Sequence, residues 1–161
     1  MPPGRRAGQK RKKRGARFRV EMSLQLPRDG QSVTLTRHLL GHAMAEIGVT
    51  PSDIDDVALA VTEAVANVID HARHRDDYRV IFAVGDEVAE IRVIDTGHGF
   101  DHESLLRTSP DLDAERGRGL VLMRALVDQA RFASRPERGT IVHLIKRLHF
   151  DGGPAAWLKA P

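Results

Sequence analysis

Residues 78–84 and 87–95 are two apolar-rich runs separated by only Gly85-Asp86, a spacer that leaves room for little but a tight hairpin. One antiparallel strand pair is thereby fixed, and the rest of the chain has to be arranged around it. Upstream, Phe18, Val20, Met22, Leu24 and Leu26 alternate with Arg17, Arg19, Glu21, Ser23 and Gln25, the period-two pattern of a strand with one wet face. Pro27-Arg28-Asp29-Gly30 ends that strand as a turn. Residues 31–47 read as a helix with Val33, Leu35, Leu39, Leu40, Ala43, Met44 and Ile47 as its apolar set and Gly48 as its stop. Thr50-Pro51-Ser52-Asp53 caps a second helix running to about Ala72.

Beyond the hairpin, residues 96–116 are polar, hold glycines and Pro110, and have no periodicity. A loop of that length inside a compact domain is uncommon and typical of a lid or binding loop. A helix over 119–129 and strands over 130–134 and 140–148 complete the order strand, two helices, hairpin, lid, helix, hairpin. Helices are too few and wrongly placed for a doubly wound parallel sheet. The expected fold is an α/β (α+β) two-layer sandwich, with a mixed, largely antiparallel sheet covered by helices on one face.

Composition bounds the function. The 161 residues, 41% of them hydrophobic, suffice for one domain, here residues 17–150, with a tail over 151–161 that carries the only tryptophan, Trp157. No apolar run spans a membrane, and no apolar stretch follows the basic N-terminus as in a secretory signal, so a cytoplasmic location is expected. Without cysteine, thiolate and disulfide chemistry is excluded. The net charge of +3 hides a division. Nine of the 25 basic residues fall within residues 1–19, leaving sixteen against all 22 acids, so the remainder carries −6. Residues 1–16 read as a disordered, solvated extension, and their charge also suits contact with nucleic acid.

The residues with chemistry begin on the second helix. Ile54, Val57, Val61, Val65 and Val68 form its apolar stripe, while Glu63, Asn67 and His71 repeat every fourth residue on another face. Ala60, Ala64 and Ala66 beside them are expected to leave room for a ligand. Asn67 offers a neutral oxygen suited to magnesium, and Glu63 can take a proton from a hydroxyl attacking a phosphate. Asp95 shares a strand face with Ile91 and Val93, so its carboxylate aims toward the core and must find donors there. The exocyclic amine of adenine is one such donor. Gly97 and Gly99 let the backbone turn close to a flat ring. Gly117-Arg118-Gly119 precedes an apolar helix whose free N–H groups suit an anion, with Arg116 or Arg118 adding charge. The histidine pairs His38/His42, His98/His102 and His71/His74 lack a third ligand at metal-binding spacing.

In this order the pieces resemble the nucleotide-binding boxes of the GHKL (histidine-kinase-like) ATPase superfamily, which includes gyrase and the histidine kinases. Glu63 to Asn67 is similar to its N box, Asp95-Thr96-Gly97-His98-Gly99 to its first glycine box, Gly117-Arg118-Gly119-Leu120 to its second, and Gly139-Thr140 to its last. Within it, EAVANVIDHA and GRGLVLMRALVD most resemble the anti-sigma factor/serine-protein kinase family. The resemblance implies a Bergerat-type fold that binds ATP and Mg2+. It also implies a sigma factor and an anti-anti-sigma protein as partners, the latter phosphorylated on serine or threonine, and a homodimer. Glu63 would be the general base and Asn67 the magnesium ligand. Asp95 and Thr140 would read adenine, while Gly97, Gly99, Gly117, Arg118, Gly119 and Leu120 would shape the lid and phosphate site. Two other readings stand beside it. One is a non-catalytic module that binds protein when nucleotide is present; the other is a nucleic-acid-associated regulator acting through residues 1–16.

Overall fold

The computed structural model describes residues 18–71, 77–95, 117–135 and 139–153. The basic tail, the 96–116 loop with Gly97 and Gly99, and Trp157 lie outside the described residues. The elements are β1 (Arg19–Pro27), α1 (Gly30–Glu46), α2 (Pro51–His71), β2 (Asp77–Gly85), β3 (Val88–Asp95), α3 (Gly117–Leu126), β4 (Gln129–Arg135) and β5 (Gly139–Arg147). The strands form one five-stranded sheet in the order β1-β2-β3-β5-β4. Every pairing is antiparallel, so the sheet is wholly rather than largely so.

Register decides what the helices cover. On one face the ladders align Met22, Phe82, Ile91, Leu144 and Ala130 in one row, and Leu24, Val80, Val93, Val142 and Phe132 in the next. Phe82, Ile91, Leu144, Val80, Val93 and Val142 have no exposed surface. Against these rows α2 lays Val57, Val61, Val65 and Val68, none more than 1% exposed. Each such side chain contributes about 1.5–3 kcal/mol of burial. Ala60 and Ala64, expected to leave space for a ligand, are instead fully buried in this core, where a small side chain lets the helix approach the sheet.

The helix ends carry recognisable caps. Asp29 accepts the Ser32 N–H at 2.7 Å and opens α1, a role hidden behind the turn reading of Pro27 to Gly30. Gly48, at φ 82°, stops the helix in the left-handed region where glycine is favoured. Thr50 C=O accepts the first bond of α2, from Ile54 N–H, with Pro51 in the first helical position. α1 differs from expectation on its outer side: Leu40, Met44 and Ile47 are buried, but Leu35 and Leu39 are 46% and 38% exposed. α3 ends at Leu126 rather than near Gln129, because Asp128 turns across to accept the Arg147 N–H at 2.6 Å and Gln129 already pairs in β4.

The other sheet face carries a small apolar cluster, Ile94 and Ile141 with Ile81 and Ala133, beside a polar one. There Glu90 accepts hydrogen bonds from Arg92 and lies 2.8 Å from His143 Nε2. Burial raises the Glu90 carboxyl, but the bonds and charge of Arg92 and His143 outweigh it and hold it below the ordinary range. Burial also lowers His143, and Glu90 only partly offsets this with Arg92 and Arg131 nearby. Asp53, held by His149 and Lys146 against its own burial, is lowered too. For all three groups the unfolded chain takes up protons first as pH falls, so their stabilisation is complete above their ordinary values and lost in acid. The His143 contribution begins to disappear below its ordinary 6.5, before the Glu90 and Asp53 contributions below 4.5 and 3.8. Urea midpoints of the wild type should therefore decline from about pH 7.5 to about pH 5.5, and those of His143→Gln should stay level across that interval. Parallel curves would refute the His143 assignment.

Candidate functional site

The third row on the helix side of the sheet departs from the apolar pattern. It begins with Leu26, Tyr78 and Asp95. Ile94 pairs with Ile141, so the next residues in the antiparallel ladder, Asp95 and Thr140, come side by side at the strand ends. Asp95 and Thr140 are 5% and 1% exposed. Tyr78, fully buried in the same row, donates its hydroxyl to Ser32 Oγ at 3.0 Å and so ties the row to α1.

Gly139 brings β5 against Asp95. Its φ is +89°, and a Cβ built there would lie 3.0 Å from the Asp95 carbonyl oxygen and 3.6 Å from Asp95 Oδ2. Any side chain at 139 would force β5 away from Asp95 as well as strain the backbone.

α2 delivers the second pair. Only residues 72–76 separate its end from β2, and Tyr78 near the start of β2 pairs with Asp95, so the C-terminal turns of α2 lie at the same end of the sheet. Glu63 and Asn67 share one side of those turns, and both are partly exposed. α3 packs directly on them. A Cβ at Gly119 would sit 3.2 Å from Glu63 Oε2 and 3.3 Å from Asn67 Nδ2. Glycine is what lets the first turn of α3 come this close to the two polar side chains. Gly117-Arg118-Gly119, expected to precede the helix, forms its first turn instead. The chemistry is unchanged, since N–H groups of a first turn lack intrahelical partners and carry the positive end of the helix dipole. Leu120 is partly buried against the main core, so it anchors that turn.

Gly119 is therefore seated against Glu63 and Asn67, and Gly139 against Asp95 with Thr140 next along β5; α2 packs on β3 and β5, the strands that carry the second group. Gly117 and Arg118 occupy the start of α3, while Gly97 and Gly99 lie outside the described residues. One residue was not anticipated. Arg28 Nη2 donates to Asp95 Oδ1 at 2.6 Å, the two side chains being 11% and 7% exposed. They are 67 positions apart, and nothing in the Pro27 to Gly30 turn announces the contact.

A site of this kind suits a nucleotide with its magnesium. It offers a buried carboxylate and hydroxyl at the sheet end, an amide and a carboxylate one helical turn apart, and first-turn N–H groups of α3, which have no partners within the helix. Among the described residues no three His, Asp or Glu side chains group into a metal cage. A cation would rely on few protein ligands plus phosphate oxygens and water, which is magnesium's habit.

Comparison with known proteins agrees with this geometry. The chain is 28% identical over 139 residues to the serine-protein kinase RsbW of Bacillus velezensis, covering 80% of this chain and 86% of the relative. It is 27% identical over 139 residues to the anti-sigma F factor of Anoxybacillus flavithermus, covering 81% and 94%. The crystal structure of the RsbU and RsbW domains of Rv1364c from Mycobacterium tuberculosis superposes with a TM-score of 0.61 at 27% identity, over 80% of this chain. This chain spans about a third (32%) of that longer one. Residues 26–146 match the model of the histidine kinase-like ATPase domain, and the chain belongs to that family.

Proposed function

We propose that this protein is an anti-sigma regulatory factor and ATP-dependent protein serine/threonine kinase, whose partners are a sigma factor and an anti-anti-sigma protein. The observation that carries the reading is the contact of Glu63 and Asn67 with Gly119, which sets a carboxylate and an amide against the N-terminal turn of α3. The names of the relatives, serine-protein kinase and anti-sigma factor, support the choice of reaction.

Asp95 accepts a hydrogen bond from the exocyclic amine of adenine, and Thr140 beside it completes the base-reading edge. Asn67 would hold Mg2+ through its amide oxygen, and the ion would supply neutralisation of charge on the phosphates. The N–H groups of the first turn of α3, with Arg118, hold the phosphate oxygens. Glu63 orients the partner's serine or threonine hydroxyl and takes its proton as that oxygen bonds to the γ-phosphorus and the bond to ADP breaks. Catalysis is mainly positioning and electrostatic stabilisation.

The test is calorimetric titration of Mg-ATP into wild type and Asp95→Asn. The wild type should bind, and the variant, which presents an amide NH2 toward the adenine amine, should lose about 10- to 100-fold in affinity. Failure of the folded wild type to bind would overturn the reading, and unchanged affinity in the variant would remove Asp95 from it.

A further inference from the structure

We infer that Arg28 plugs the base pocket, and that nucleotide enters only when its guanidinium leaves Asp95. The inference rests on the reading of Asp95 as the adenine-binding carboxylate.

The guanidinium holds Asp95 Oδ1 at 2.6 Å in a contact almost closed to solvent. A carboxylate has acceptor sites on both oxygens, so the competition is one of access: Asp95 is 5% exposed with the guanidinium on it, and a nucleotide's exocyclic amine needs that enclosed carboxylate uncovered. Position makes the competition reversible. The backbone of Arg28 is fixed on both sides: the β1–β2 ladder runs to Pro27, Asp29 N–H bonds Pro27 O at 3.1 Å, and the Asp29 side chain caps α1. Rotation of the Arg28 side chain alone therefore vacates Asp95 without unpairing a strand or uncapping a helix. Such a side chain is a two-position element in front of a binding group. The observed affinity is then the intrinsic affinity reduced by the fraction of molecules in the open position.

Charge alone predicts the opposite outcome. ATP is an anion, and removing a nearby cation should weaken its binding. Removing a plug should strengthen it.

Stopped-flow binding of a ribose-labelled fluorescent ATP with Mg2+ to wild type, Arg28→Ala and Arg28→Gln separates the two. The plug requires affinity to rise at least about fivefold in Arg28→Ala, all of it in a faster association rate with dissociation unchanged. Arg28→Gln, neutral and close in shape, should shift the same way. It carries the test if a thermal melt shows the alanine variant unfolded by the loss of Asp95's partner. Weaker binding through faster dissociation would make Arg28 a direct ligand or a positioning group and overturn the inference. Unchanged affinity would overturn it too. Binding by neither wild type nor variants would instead refute the nucleotide reading itself, and the plug with it.

Discussion

Glu63→Gln should lower phosphoryl transfer to the partner protein by about 10²–10⁴-fold, the usual worth of a positioned general base. Mg-ATP affinity should stay close to that of the wild type. At 1.36 kcal/mol per factor of ten this is about 3–5 kcal/mol of transition-state stabilisation. Glutamine is the informative replacement because it fills the same volume. Glu63 Oε2 lies 3.2 Å from the Cβ position of Gly119, so a truncation would also loosen the seat of α3 and confuse binding with chemistry. Removing the carboxylate takes away the proton acceptor and leaves the groups assigned to the base and the phosphates in place. Single-turnover transfer of γ-labelled phosphate, measured beside calorimetric affinity, separates the two effects. Equal loss of binding and transfer would make Glu63 a binding residue, and undiminished transfer would place the base elsewhere. The same measurement decides between a kinase and a nucleotide-dependent binding module, because the module would show no transfer in the wild type.

The placement of Glu63 and Asn67 on one helix face could be read from sequence because it depends on local periodicity. Two polar residues four apart, off a valine stripe, must share a helix face whatever the rest of the chain does. The hairpin was legible because so short a spacer leaves the two runs no other connection, but its register was not: the turn falls at Asp86-Glu87 rather than Gly85-Asp86, and Val84 pairs with Ala89. Asp95 facing the helices followed from counting by two along Ile91 and Val93. Other features depend on pairings that no short window contains. Arg28 looked like a turn residue because its partner is 67 positions away. The exposure of Leu35 and Leu39 reflects which side of α1 meets α2 and the sheet, and helical spacing alone does not settle that. Ala60 and Ala64 were assigned to a ligand when they serve the core, since a small side chain permits close approach of either. The glycines of the Gly117-Arg118-Gly119 turn were placed before α3 on propensity. Contact with α2 overrides propensity there: glycine is the residue that fits against Glu63 and Asn67, and the helix forms around it.

Lys146→Met should destabilise the protein by about 2–4 kcal/mol, although Lys146 is not among the site residues. It occupies a position in β5 that faces the helices, where period two calls for an apolar side chain. Its ammonium donates to Asp56 Oδ2 at 2.7 Å and to the Leu126 carbonyl at 2.9 Å, and lies 3.6 Å from Asp53 Oδ1. One cation thus ties the start of α2 and the end of α3 to β5, which sets how α3 lies on α2 and so how Gly119 meets Glu63. Burial disfavours the charge, but the bond to Asp56 and both aspartates outweigh it and raise the lysine above its ordinary value. Removing the ammonium leaves two carboxylates facing each other. The Asp53 side chain is only 6% exposed but keeps the His149 N–H at 2.6 Å, and Asp56, at 32%, can recover water. The cost therefore falls somewhat below the 3–5 kcal/mol of a fully enclosed orphan. Methionine keeps the stem's packing, so the loss reports charge and hydrogen bonds. A raised lysine value also fixes a direction in pH: the contribution is complete below the ordinary 10.5 and is lost as pH rises through the higher folded value. Urea unfolding at neutral pH should show a lower midpoint with an unchanged slope. The gap between wild type and Lys146→Met should narrow in strong alkali. A neutral-pH loss below about 0.5 kcal/mol would mean the ammonium behaves as an ordinary surface charge, and α3 would then owe its seat on α2 to apolar packing alone.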